Sequence, residues 1–261
     1  MTIGGRRTQQ VNLAYLVFFT PRSGSYLLCD RLEASGVAGR PAECFGPVKG
    51  NSAGEADSAV RQLATSVACA CTPNDVFGAK VTRFHFGQFS ERLASEVGDP
   101  DIDLADALSV LAADLRFVWI RRHDRARQAV SYWRALATGE WALISGATPT
   151  SIDPSAFDVG EVRRLESRIA SDETWIETYL RERRTSAFVV WYEDLEADPD
   201  GIADDVLNSM GLTRTRGSMR RPRLSRQADS VSEELVERYL GVTPGASTKP
   251  GPDRREPCRP D

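Results

Sequence analysis

Four short apolar runs punctuate the chain, at residues 13–19, 76–81, 115–120 and 187–192, and stretches with helical spacing of apolar residues separate them. Each run is too short for a helix and rich in Val, Phe and other β-formers, as expected of a strand buried on both faces of a parallel sheet. The intervening stretches supply the helices. After the first run, Tyr26, Leu27, Leu28, Leu32 and Val37 form an apolar set, and within 51–70 Val60, Leu63, Ala64 and Val67 recur at helical spacing. Residues 102–111 read as an amphipathic helix. Ala126, Ala129, Val130, Trp133 and Leu136 mark a long helix after the third run, opened by Asp124 as N-cap. Residues 162–183, a helix through Ile202, Val206 and Met210, and a last helix at 231–240 complete the pattern. The prediction is an α/β fold, a parallel β-sheet flanked by helices.

A chain of 261 residues buries one substantial core, so 13–240 is expected to form a single domain, with 1–12 as a flexible arm. Residues 241–261, rich in Pro, Gly and charge, are predicted to be disordered. Hydrophobic content of 41% and charged content of 27% are those of a soluble globular protein. A net charge of −4 argues against general nucleic-acid binding, whose footprint is basic. No apolar run approaches the ~20 residues of a membrane span, and the first ten residues lack the apolar core of a signal peptide. A cytoplasmic protein with no membrane partner is expected. The five cysteines are odd in number and scattered, and with only His85 and His123 beside them neither disulfides nor a metal site is expected.

Chemistry concentrates where strands run into helices. The first run stops at Thr20-Pro21, and Arg22-Ser23-Gly24-Ser25 leads into a helix. Such a loop aims unpaired amides and the positive end of the helix dipole at one spot above the sheet, which suits an anion, and Arg22 adds a forked donor. No G-x-x-x-x-G-K-[ST] string occurs, which speaks against a magnesium-nucleotide kinase. The third junction repeats the plan: Arg121, Arg122, Arg125 and Arg127 cluster there, and Ser131 lies nine residues beyond Arg122. This predicts a second anion site. Glu43, between Ala42 and Cys44, returns toward the carboxyl edge of the sheet; it is either a solvated loop residue or a proton acceptor beside cationic groups. Lys80 lies near the end of the second strand, where ligands of open α/β sheets bind, and His85, among aromatics, reads as a packed histidine. The Gly/Ser/Thr/Pro-rich segment 139–158 reads as a long mobile loop around Trp141.

Three stretches, PRSGSYLL with GVAGRPAECF, RRHDRARQAVSYWRA, and SRQADSVSEELVERY, closely resemble the bacterial trehalose 2-sulfotransferase family known from mycobacteria. The likeness runs in order from Ala14 to Tyr239. It implies a P-loop-like sulfotransferase fold and 3′-phosphoadenosine 5′-phosphosulfate (PAPS) as donor, with no metal. Carried over by position, Arg22, Ser23, Gly24, Ser25 and Tyr26 hold the 5′ phosphosulfate, Arg122 and Ser131 the 3′ phosphate, and Arg226 and Gln227 the nucleotide. Glu43 matches the family's general base, and Arg22 with Lys80 would steady charge on the leaving phosphate. The acceptor would be a small molecule, a sugar or glycosylated metabolite, with Trp133 and Trp141 as stacking surfaces, and a homodimer is implied. Tyr26 departs from the small hydroxyl residue common in this loop, His123 from a proline and Cys44 from an aromatic. Residues 46–72 do not resemble the trehalose enzymes.

Overall fold

The computed structural model describes residues 11–46, 58–143, 147–148, 150–214 and 230–241, and by backbone alone residues 2–3, 6–7, 144, 224–225 and 242. Two two-residue strands, β1 (Thr2–Ile3) and β2 (Arg6–Arg7), pair antiparallel ahead of the main sheet. That sheet has four parallel strands in the order β4-β3-β5-β7, formed by β3 (Val11–Phe19), β4 (Val76–Val81), β5 (Ala112–Arg121) and β7 (Ala187–Trp191).

The central strand shows why its sequence is apolar without alternation. Ala14, Leu16 and Phe18 point into one core, with Phe77, Phe86, Phe89 and Ile176, while Leu13, Tyr15, Val17 and Phe19 point into a second, with Leu28, Leu32 and Val206. Both faces are covered, so neither parity of residue meets water. Helices α2 (Ala59–Ala70), α3 (Arg83–Val97), α4 (Leu104–Leu111) and the second half of α6 (Val159–Glu182) supply the first core. The second is filled by α1 (Ser25–Ala34), α7 (Tyr192–Ala197) and α8 (Pro199–Ser209). A third apolar cluster, off the sheet, joins α5 (Arg125–Thr138), the first half of α6 and α9 (Ser230–Val242).

Several expectations shift. The first strand starts at Val11, so residues 11–12 belong to the sheet rather than to an arm; Asn12 donates from its backbone to Asp75 O at 2.9 Å. Leu136, placed in the apolar stripe of α5, is exposed, and the stripe runs through Tyr132 and Ala135 instead. Tyr192 leaves the fourth strand and opens α7, and Pro199, with Asp198 as cap, starts a separate α8. The segment 139–158 is not wholly irregular: β6 (Leu143–Ile144) pairs antiparallel with β8 (Leu224–Ser225), and residues 154–156 form a 3₁₀ turn. The predicted disordered tail lies outside the described residues from 243 onward, as do most of 1–10 and the start of the 51–70 helix.

Candidate active site

The loop after β3 is built for close approach. Arg22 adopts a left-handed backbone with φ of 66°, and Gly24 follows at 93°. A Cβ on Gly24 would lie 2.6 Å from Cδ2 of Tyr192, so only glycine fits both the angle and the space. Gly24 is also the N-cap of α1, and no side chain caps the helix, which leaves its first-turn amides and positive pole facing outward from the sheet edge. Ser23 is fully buried and its Oγ has no hydrogen-bond partner. Gln128, fully buried on α5, holds the loop: its Nε2 donates to Thr20 Oγ1 and to Pro21 O, each at 2.8 Å. Arg22 Nε donates to Ser131 Oγ at 3.0 Å and its Nη1 to the Trp141 carbonyl. Burial, and secondarily the charge of Arg122, lower the pKa of this guanidinium.

The second junction is not a copy of the first, contrary to the expectation from sequence. Its turn amides are already taken: Glu193 accepts from His123 N at 3.2 Å and from Asp124 N at 3.4 Å, and Asp124 caps α5 by accepting from Arg127 N at 2.8 Å. A carboxylate from α7 thus sits where a bound anion would. The arginine cluster also divides. Arg121 and Arg125 turn to Glu173, at 3.6 and 2.7 Å, and Arg127 pairs with Asp124 and Glu233. Arg127 still borders the cavity, and so does Arg122. Its guanidinium lies 4.4 Å from the Tyr192 ring centroid, its contact with Glu193 is a long 3.9 Å, and its buried Nε has no hydrogen-bond partner. Burial lowers its pKa.

Glu43 reaches the sheet edge because Ala42 bridges to Ala79 and accepts from Lys80 N at 3.0 Å. Its Oε1 lies 2.9 Å from Lys80 Nζ and its Oε2 3.7 Å from His85 Nδ1. Lys80 is buried, with its Nζ 3.3 Å from the centroid of Tyr26. Thr82 caps α3 by accepting from His85 N at 3.2 Å, which sets His85 in the helix's first turn, its ring beside that of Phe84 and its Nδ1 toward Glu43.

These groups share one cavity of about 750 Å³, whose walls include Arg22, Gly24, Ser25, Tyr26, Glu43, His85, Arg122, Ser131 and Trp141. Ser23 and Lys80 stand behind that wall, touching it through their neighbours. Trp133 does not reach it: the ring is buried edge-on against Phe157, centroids 5.0 Å apart, so its indole is core rather than a stacking surface. Arg226 and Gln227 lie outside the described residues. Sequence reasoning missed Gln128, Tyr192 and Glu193. A polar residue among Ala126, Ala129 and Val130 was the available signal for the first; the other two follow a strand whose end was set one residue late.

The Stf0 sulphotransferase profile matches residues 14–241. The chain belongs to that family. Two trehalose 2-sulfotransferases are similar along nearly their whole length: one from Mycobacterium tuberculosis, 29% identical over 88% of this chain and 95% of that protein, and one from Mycolicibacterium smegmatis, 27% identical over 87% and 94%. Among solved structures, the sulfotransferase domain of the Synechococcus PCC 7002 olefin synthase superposes with a TM-score of 0.43 at 15% identity, covering 92% of each chain. A sulfotransferase from Alicyclobacillus acidocaldarius gives 0.46 at 13%, covering 90% of this chain and 92% of its own. The protein is therefore an enzyme, a sulfotransferase. No helix among the described residues is long and apolar enough to cross a membrane.

Proposed function

We propose that this sulfotransferase moves the sulfuryl group of PAPS to a hydroxyl of a carbohydrate or glycosylated metabolite, with Glu43 as general base. One observation carries the reading: a carboxylate paired to a buried lysine lines the same cavity as the uncapped helix terminus and a desolvated arginine. The residues suit a donor with two anionic ends. The N-terminus of α1 has no side-chain cap, and Arg122 Nε, on the cavity side, is buried without a hydrogen-bond partner, an arrangement that costs stability unless a ligand satisfies it. Arg22, Ser23, Gly24, Ser25 and the amide of Tyr26 would hold the phosphosulfate, Arg122 and Ser131 the 3′ phosphate, with Arg226 and Gln227 part of the same proposal. Bound there, PAPS supplies an electrophilic sulfur and a phosphate leaving group.

The chain's own residues do the rest. Glu43 accepts the proton of the acceptor hydroxyl as that oxygen bonds to sulfur. On taking the proton, the Glu43–Lys80 pair loses its negative member, so the lysine's charge becomes uncompensated as negative charge moves onto the leaving phosphate. Arg22 adds a second cation at the loop. Gln128 keeps that loop in place and Tyr192 backs both Gly24 and Arg122, so the two grips do not move independently. No metal enters the proposal.

The similarity to trehalose enzymes supports a sugar acceptor. Incubating the protein with PAPS and a panel of disaccharides and glycosylated metabolites, and following 3′-phosphoadenosine 5′-phosphate (PAP) and sulfated product by mass, tests the reading. Stoichiometric formation of both is expected; PAPS left intact with every acceptor would overturn it. Homodimer assembly belongs to the same proposal and is checked by light scattering of the full chain.

A further inference from the structure

Among the described residues, the exposed aromatic side chains are Tyr26, Phe84 and Trp141, at 42, 52 and 39% exposure, and all three line the one cavity that holds Glu43. None belongs to any of the three apolar clusters, so packing does not account for them. Scattered exposed apolar residues need no explanation; aromatic faces gathered around one site do.

Their placement is tied to the reacting carboxylate. Phe84 sits in the first turn of α3, where a polar residue would satisfy water better, and its ring lies 5.7 Å from that of His85, whose Nδ1 is 3.7 Å from Glu43. Tyr26 holds Lys80 over its ring at 3.3 Å, and Lys80 pairs with Glu43 at 2.9 Å. Trp141 approaches from the far wall, tilted against Tyr132 with centroids 5.9 Å apart, its carbonyl accepting from Arg22. Rings thus stand one contact away from the base on two sides, Tyr26 beyond Lys80 and Phe84 beyond His85.

We infer that the acceptor carries a flat apolar group, an aryl aglycone, next to the hydroxyl that is sulfated, and that Phe84 with Tyr26 receives it. The inference rests on the sulfuryl-transfer reading above and narrows its acceptor. Aromatic contact of this kind adds specificity beyond simple burial, since offset and edge-on ring pairs are favoured geometries. Phe84 is the specificity-determining residue of the pair, because Tyr26 also serves the loop and Lys80.

The test compares two acceptors with the same sugar, 4-nitrophenyl β-glucoside and methyl β-glucoside, at saturating PAPS, following PAP by mass. The aryl glucoside is expected to show kcat/KM at least about tenfold higher, a difference that stacking and burial of one ring readily supply. Phe84→Ala should erase that advantage, bringing kcat/KM for the two glucosides together. Phe84→Leu should restore only part of it. Saturation-transfer NMR reads binding without turnover: the nitrophenyl protons should receive saturation in the unaltered protein and lose it in the alanine variant. Equal kcat/KM for the two glucosides, or an advantage that survives Phe84→Ala, would overturn the inference and leave sulfuryl transfer standing. PAPS unconsumed with both glucosides and the disaccharide panel would overturn the reading beneath it, and absent saturation of the nitrophenyl protons would overturn the inference by itself.

Discussion

Glu43 stands between two cationic or ionisable partners, and its proposed work depends on which of them compensates its charge. Glu43→Gln keeps the shape and a carbonyl oxygen toward Lys80 but cannot accept a proton. We expect kcat to fall by at least about a hundredfold, with donor affinity within about threefold, because loss of a nearby negative charge does not weaken a polyanion's binding. Steady-state kinetics and calorimetry check both halves, and unchanged turnover would move the base to His85. Gly24→Ala tests a different kind of necessity. The added methyl would meet Tyr192 at 2.6 Å on a backbone of φ 93°, so a stability loss of about 1–3 kcal/mol is expected, together with a donor affinity at least about tenfold weaker. Cys29, buried behind Lys80 and Glu43, has its thiol pushed up to about 12 by burial. At pH 8 iodoacetamide should modify exposed Cys69 and leave Cys29 intact in the folded protein, as peptide mass mapping would show.

At the scale of elements, α5 determines how the first loop sits. Gln128→Leu removes both 2.8 Å bonds to Thr20 and Pro21 at nearly constant volume. The KM for PAPS is expected to rise about tenfold while the KM for acceptor stays within twofold, since the loop and not the acceptor wall is released. Much of this level was legible. The four strands follow from apolar runs, and the tight turn at the first junction from the Pro, Ser and Gly that end its run; these are local signals. What escaped was pairing at a distance. Nothing near Arg122 in sequence says that Glu193, some seventy residues away, fills the second junction's amides, so two similar strand-to-helix turns read alike when one was already occupied. Trp133 escaped for a related reason: a helix with apolar residues on more than one side gives no sign of which side meets α6 and α9 and which meets the cavity. The closeness of His85 to Glu43 was likewise not legible, since the two lie more than forty residues apart and meet only because Ala42 bridges to Ala79.

Across the whole molecule, stability and catalysis are separable. Arg31 is fully buried between α1 and α8, pairing with Asp30 and, at 3.6 Å, with Asp200, on the side of the sheet away from Phe86 and Ile176. Arg31→Met leaves Asp30 buried without that partner, and a loss of about 3 kcal/mol with a fall of several degrees in Tm is expected, kcat being unchanged below the transition. In the proposed reading the molecule acts as one grip: the uncapped helix terminus at one strand end and Arg122 at the next would hold the two ends of a single donor. Calorimetric titration with PAP and with 5′-AMP, which lacks the 3′ phosphate, tests this most directly. PAP is expected to bind at least about thirtyfold more tightly, as a charge-assisted contact to a desolvated arginine allows, and Arg122→Met to bring PAP close to 5′-AMP without changing the latter. Equal affinity for the two nucleotides, or a PAP affinity untouched by Arg122→Met, would contradict it.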